Sequence, residues 1–191
     1  MNANETGDIF QPFGVAIDLT TGEMAEPDNH HVTRASTMIP YYADRAAIQR
    51  LVDEHGDPVH YEVFEKDIPQ TEGHILICIS KLLPGKVRDE FFMTKGHYHT
   101  VLATAETYLC LAGEGYMLMK TRGGRCLWER MTPGRLVYCP PSWAHRSINT
   151  GSVPLVSLCN YPAHAGHNYG DFVTEGFPRR CFDRGGSPAF E

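Results

Sequence analysis

From Asp57-Pro58 onward glycine and proline interrupt the chain every few residues, and that punctuation limits it to short extended segments. The separators are Gly73, Pro84-Gly85, Gly113, Gly123-Gly124, Pro133-Gly134, Pro140-Pro141 and Gly151. Each is a turn signal, because glycine accepts positive φ and proline fixes its own. The runs between them predict strands near residues 59–66, 74–82, 90–95, 97–101, 106–112, 115–120, 125–131, 135–139, 144–150 and 154–160. Many short strands with regular turns predict an all-β barrel or jelly roll. One stretch, residues 44–55, has helical spacing instead: Ala47, Ile48, Leu51 and Val52, with Asp44 as N-cap and Gly56 as terminator. Its apolar stripe is expected to pack on the barrel.

The flanks carry weaker signals. Residues 1–14 are polar and read as a loosely held arm, residues 13–18 as a first strand ended at Thr20-Thr21-Gly22, and residues 23–40 show no clean period. His30 and His31 stand side by side, would face opposite ways on a strand, and are assigned no role. A last strand is expected near residues 178–183. No internal repeat or domain linker interrupts the chain, and 191 residues with 42% hydrophobic content suit one domain with a real core.

The net charge of −6 argues against a general nucleic-acid binder. It also means that an anionic ligand needs a locally positive pocket, for which Lys81, Lys86, Arg88, Lys95 and Arg146 are the nearby cations. No apolar run approaches the roughly 20 residues that span a bilayer, and the first residues lack the basic start and apolar centre of a signal peptide. Six cysteines, none in a CxxC pair and several inside apolar runs, read as buried thiols of a cytosolic protein.

Chemistry concentrates in Thr94-Lys95-Gly96-His97-Tyr98-His99, followed by Glu106 and much later by His145. His97 and His99 are one residue apart, as are Glu106 and Tyr108, and strand alternation sends each pair to one side. Three imidazoles and one carboxylate suit a divalent transition metal. In a closed barrel they are expected to converge, three near one end of a hairpin and one from a distant strand. An octahedral ion held this way keeps two positions for neighbouring oxygens of a hydroxy-carbonyl substrate.

The spacings His97-x-His99-x6-Glu106-x6-Gly113 and Gly134-x5-Pro140-x4-His145-x3-Asn149 resemble the two cupin motifs, which place a metal inside a small β-barrel. The gap of six before Glu106 is longer than usual, and Phe91 and Ser142 replace glycines of the general pattern. A narrower resemblance accounts for the gap. The runs around residues 91–99, Glu106-Thr107-Tyr108, Pro140-Pro141-Ser142-Trp143-Ala144-His145-Arg146 and residues 161–170 resemble the cupin-type glucose-6-phosphate isomerases, and the similarity covers roughly residues 12–183.

This resemblance implies an all-β fold, a cupin jelly-roll β-barrel with a short N-terminal helix and flanking strands. Residues 1–40 would form an arm and first strand packing on the barrel, and residues 41–191 a single cupin domain. It implies interconversion of glucose 6-phosphate and fructose 6-phosphate in the cytoplasm by a homodimer. One divalent metal per chain, Fe2+ first and Ni2+, Zn2+ or Mn2+ as alternatives, would be held by His97, His99, Glu106 and His145. Tyr61, Ser80, Thr94 and Gly96 match phosphate-holding positions, with Ser80 where relatives carry threonine. Lys95, Tyr161 and Tyr169 join them around the substrate, and Glu106, Tyr108 and His167 are the catalytic candidates. Two other readings fit part of the pattern. A metal cupin of different chemistry, such as an epimerase or dioxygenase, shares the ligands but has no use for the phosphate set. A non-catalytic sugar-binding cupin would not need an intact ligand set.

Overall fold

A computed structural model describes residues 10–170 and 176–191 of the chain. The elements run β1 (Asn29–Arg34), α1 (Ala35–Met38), a 3-10 turn (Ile39–Tyr41), α2 (Arg45–His55), β2 (Val59–Glu65), β3 (Ile75–Leu82), β4 (Lys86–Val87) and β5 (Glu90–Phe91). They continue with β6 (Tyr98–His99), β7 (Glu106–Ala112), β8 (Gly115–Thr121), β9 (Cys126–Met131), β10 (Leu136–Cys139), β11 (Trp143–Asn149) and β12 (Leu155–Pro162). Last come β13 (His167–Asn168), β14 (Cys181–Asp183) and β15 (Pro188–Phe190).

The large sheet has the order β1-β2-β3-β12-β7-β10, and a smaller one the order β11-β8-β9; β13-β6 and β15-β14-β5-β4 complete the fold. Every strand pair among the described residues is antiparallel, and the jumps from β3 to β12 and from β7 to β10 are the crossovers of a jelly roll. Alternation along each strand decides what the sheets enclose. Cys78, Leu82, Cys110 and Leu155 from the large sheet share one buried cluster with Met117 and Met119, which lie on the His145 face of the small one. The opposite face of the large sheet is covered separately, where Val15, Ile17 and Met24 pack on Ile79 and Val156.

The helix forms as its caps direct. Asp44 accepts from the Ala47 N–H at 2.9 Å, Gly56 takes the left-handed conformation, and Ala47 and Ile48 are buried.

Four expectations change. Of residues 13–18 only Ile17 pairs, in an isolated bridge with Met24, because Asp18 folds the chain back by accepting from Thr20 and Thr21. Residues 23–40 hold β1, which shows no apolar period because it is an exposed edge strand. Cross-strand pairs place it: His30 Nε2 lies 2.9 Å from Glu62, His31 Nε2 lies 3.4 Å from Glu65, and the His30 ring stacks on Phe64 at 4.4 Å. The runs near 90–95 and 97–101 shorten to β5 and β6, since Gly96 at φ +77° breaks them and Met93 and His97 make only single bridges to Ile148 and His145. The last expected strand begins later, at Cys181, and is paired by β15. Residues 1–9 of the expected arm lie outside the described residues.

Candidate active site

Glu106 opens β7, whose alternation also turns Tyr108 and Cys110 inward. His145 lies in β11, and reciprocal backbone bonds with His97, at 3.1 and 3.2 Å, bring those two residues together. His99 follows in β6. The residues do not share a hairpin, as the spacing suggests, because β6 pairs with β13 while β7 pairs with β10 and β12. The six residues between His99 and Glu106 carry the chain from one sheet to the other, which is the use of the long gap. Four potential ligand atoms, one each from His97, His99, Glu106 and His145, lie within 4.8 Å of one another, and all four residues are buried.

Hydrogen bonding fixes which ring nitrogens face inward. The Thr104 hydroxyl donates to the Val101 carbonyl at 2.6 Å, so it accepts from His99 Nδ1, 2.8 Å away. His145 Nδ1 is 3.3 Å from the Trp143 carbonyl, which can only accept. In the neutral rings both Nε2 atoms therefore carry lone pairs. Those atoms lie 3.0 and 2.9 Å from a single oxygen, Oε2 of Glu106. The third, His97 Nε2, is 3.8 Å from that oxygen and has no hydrogen-bond partner among the described residues. Lone pairs gathered round a carboxylate repel unless a cation lies among them, and imidazoles oriented through Nδ1 are the usual ligands of one. The group is thus fitted to hold a metal ion.

The electrostatics agree. Burial, helped by His145, pushes the His97 pKa down to about 3, so this ring is neutral. Burial raises the Glu106 carboxyl, but the surrounding histidines outweigh it and hold the pKa well below the usual range.

A cavity of about 410 Å³ adjoins the cluster, and its floor is the inner face of the large sheet. Tyr61, Ser80, Thr94, Lys95, Gly96, Tyr108, Tyr161, His167 and Tyr169, all expected at the site, line it together with His97 and Glu106. The 94–96 segment forms one wall, where Thr94 Oγ1 accepts from the Ser147 N–H at 3.0 Å. The other wall is aromatic. His167 pairs with His99 in the β13–β6 register, and its ring lies 4.3 Å from His97, 5.2 Å from Tyr161 and 5.8 Å from Tyr169. Burial lowers the His167 pKa and raises those of Tyr108, Tyr161 and Tyr169, with the Glu106 charge adding to the rise in all three tyrosines.

His31 also lines the cavity, with Thr33, Val63, Glu65, Cys78 and Cys159. Sequence reasoning gives these residues no role. A signal existed for some: Val63 and Glu65 follow Tyr61 by twos, and Cys78 precedes Ser80 by two, so each shares a strand face with an expected site residue. For His31 it lies only in the pairing of β1 with β2.

A family model described as Glucose-6-phosphate isomerase (GPI) matches residues 32–182. The chain is 45% identical over 176 residues to a protein named glucose-6-phosphate isomerase from Thermococcus litoralis, covering 92% of each chain. It is 46% identical over 177 residues to one of the same name from Thermococcus gammatolerans, again covering 92% of each. The figure for Pyrococcus furiosus is 43% over 176 residues with the same coverage.

Proposed function

Since the chain belongs to the glucose-6-phosphate isomerase family, we propose how its cavity serves that reaction. The protein interconverts glucose 6-phosphate and fructose 6-phosphate. In our reading the sugar lies along the cavity with its phosphate against Tyr61, Ser80, Thr94, Lys95 and Gly96. Hydroxyls and a close-approaching glycine amide suit a dianion that takes several short hydrogen bonds. C1 and C2 then lie beside Glu106, within the ring of Tyr108, Tyr161, His167 and Tyr169.

His97, His99, Glu106 and His145 hold one divalent ion per chain. Iron(II) is our first choice, and nickel, zinc and manganese also accept this ligand mixture. What such an ion supplies is polarisation of the substrate carbonyl and its neighbouring hydroxyl. Glu106, ionised by its surroundings, takes the proton from C2 of the aldose and returns it to C1 of the resulting enediol. His167 and Tyr108 pass the remaining proton between O2 and O1, a task for which a neutral imidazole is suited because it offers one donor and one acceptor.

The convergence of three Nε2 atoms on one buried carboxylate is the observation that carries this reading. Its test is Glu106→Gln with metal occupancy verified. Turnover should fall at least about 100-fold, the usual share of a positioned base, and near-normal turnover would leave Glu106 as a ligand alone. Isomerisation in deuterated water should place deuterium at C2 of glucose 6-phosphate. We further propose a cytoplasmic homodimer in which residues 1–40, laid against the 41–191 domain, help to bury the interface. The exposed outer edge of β1 supports this, and light scattering that returns a monomer at micromolar concentration would refute it. Among the described residues no helix is long and apolar enough to cross a membrane.

A further inference from the structure

Arg146 follows a cluster histidine in β11 and is only 3% exposed. Among the described residues no carboxylate lies within ion-pair distance of its guanidinium. The nearby Glu90 is already engaged, by Arg180 at 2.7 Å and the Ala43 N–H at 3.0 Å. Burying a cation without an anion is costly, so its contacts carry information. Nη2 donates to the Lys95 carbonyl at 2.6 Å, the Phe177 ring lies 4.4 Å from the guanidinium carbon, and Nε has no hydrogen-bond partner among the described residues.

The Lys95 contact fixes a donor on the other side of the same peptide. In a planar trans peptide the carbonyl and the following N–H point in opposite directions. Holding the Lys95 oxygen against Arg146 therefore aims the Gly96 N–H away from Arg146. The cavity lies that way, since Lys95 and Gly96 line it and Arg146 does not. The Thr94 N–H is spent on the Ser147 carbonyl and the His97 N–H on the His145 carbonyl, whereas no described backbone carbonyl accepts from the Gly96 N–H. The close packing that holds this turn explains the glycine. At φ +77°, a Cβ there would sit 2.8 Å from Phe177 Cε2 and 3.2 Å from Arg146 Nε. The charge also reaches the cavity: burial raises the Tyr61 hydroxyl pKa, while the Lys95 backbone bond and the Arg146 charge pull it down.

We propose that Arg146 is a positioning residue for the phosphate end of the cavity. It pins the Lys95 carbonyl so that the Gly96 N–H is presented to the ligand, and its buried charge faces the anion across that peptide. The inference rests on the phosphate lying against residues 94–96.

The test uses metal-loaded wild type, Arg146→Met and Arg146→Lys, each checked for folding and metal content. Inorganic phosphate is the binding probe, read by the amide shift of Gly96 in glycine-labelled protein and by competitive inhibition. Both variants should bind phosphate about tenfold or more weakly, as expected for loss of a charge-assisted contact. KM for fructose 6-phosphate should rise in step, while kcat stays within about threefold. If Arg146→Met fails to fold, Arg146→Lys, which keeps charge and bulk but loses the planar fork, decides the matter. A folded variant with unchanged phosphate affinity, or a fall in kcat at constant KM, overturns the proposal. A wild type that binds phosphate at Gly96 but leaves fructose 6-phosphate unchanged refutes the isomerase reading and spares the assignment of Arg146.

Discussion

His60 offers a test of the packing behind the 94–96 wall of the cavity. It is fully buried on β2 with its ring 4.1 Å from that of Phe92. Nε2 lies 3.2 Å from the Met93 carbonyl and 3.0 Å from the Tyr42 hydroxyl. A carbonyl only accepts, so Nε2 carries the proton and Nδ1 keeps a lone pair without a partner among the described residues. A second proton on Nδ1 would bring an uncompensated charge into the core. Burial therefore lowers the pKa from 6.5 to about 4, against the upward pull of the Met93 carbonyl. The folded value is the lower one, so as pH falls the unfolded chain takes up the proton first. Stability is complete above about pH 6.5 and is lost progressively towards pH 4. The whole effect is about 3 kcal/mol, of which about 2 kcal/mol is lost between pH 8 and pH 5. Urea unfolding of wild type and His60→Gln at those two pH values isolates it. Glutamine keeps a donor for Met93 and does not titrate there. Wild type should lose about 2 kcal/mol more than the variant across the interval; parallel pH profiles would refute the reasoning.

Thr104→Val removes the nearer of the two Thr104 oxygens that face His99 Nδ1, the hydroxyl at 2.8 Å, and leaves the carbonyl at 3.2 Å; metal affinity should fall about tenfold, measured by competition with a chelator, and unchanged affinity would show the hydroxyl idle. Gly96→Ala should cost about 1–3 kcal/mol in urea unfolding and raise KM for fructose 6-phosphate, because the new methyl meets Phe177 and Arg146 at a positive φ. A variant with wild-type stability and KM would show that this turn tolerates a side chain.

The chain stated its site more openly than its topology. Alternation places Glu106 and Tyr108 on one face of β7, and the glycine and proline spacing ties His145 to the two earlier histidines. What joins His97 to His145 is a single bridge between distant segments, which no local period encodes. His31 was unreadable for a related reason. Its strand is an exposed edge whose placement depends on pairing with Glu62 and Glu65, not on a buried apolar face. Val15 and Ile17 read as a strand because they are apolar, but they are apolar because they cover the outer face of the large sheet. Arg146 shows the opposite limit: the sequence offers it as one of five nearby cations, and only its burial sets it apart from the other four.

The most direct measurement is a coupled assay of glucose 6-phosphate formation from fructose 6-phosphate. It compares protein stripped by a chelator with the same protein reloaded by stoichiometric divalent metal. The account predicts activity that disappears on stripping, returns at one equivalent of metal per chain, and does not return in a His97→Ala, His145→Ala double variant. Full turnover by the stripped protein, with metal analysis showing none bound, would contradict it.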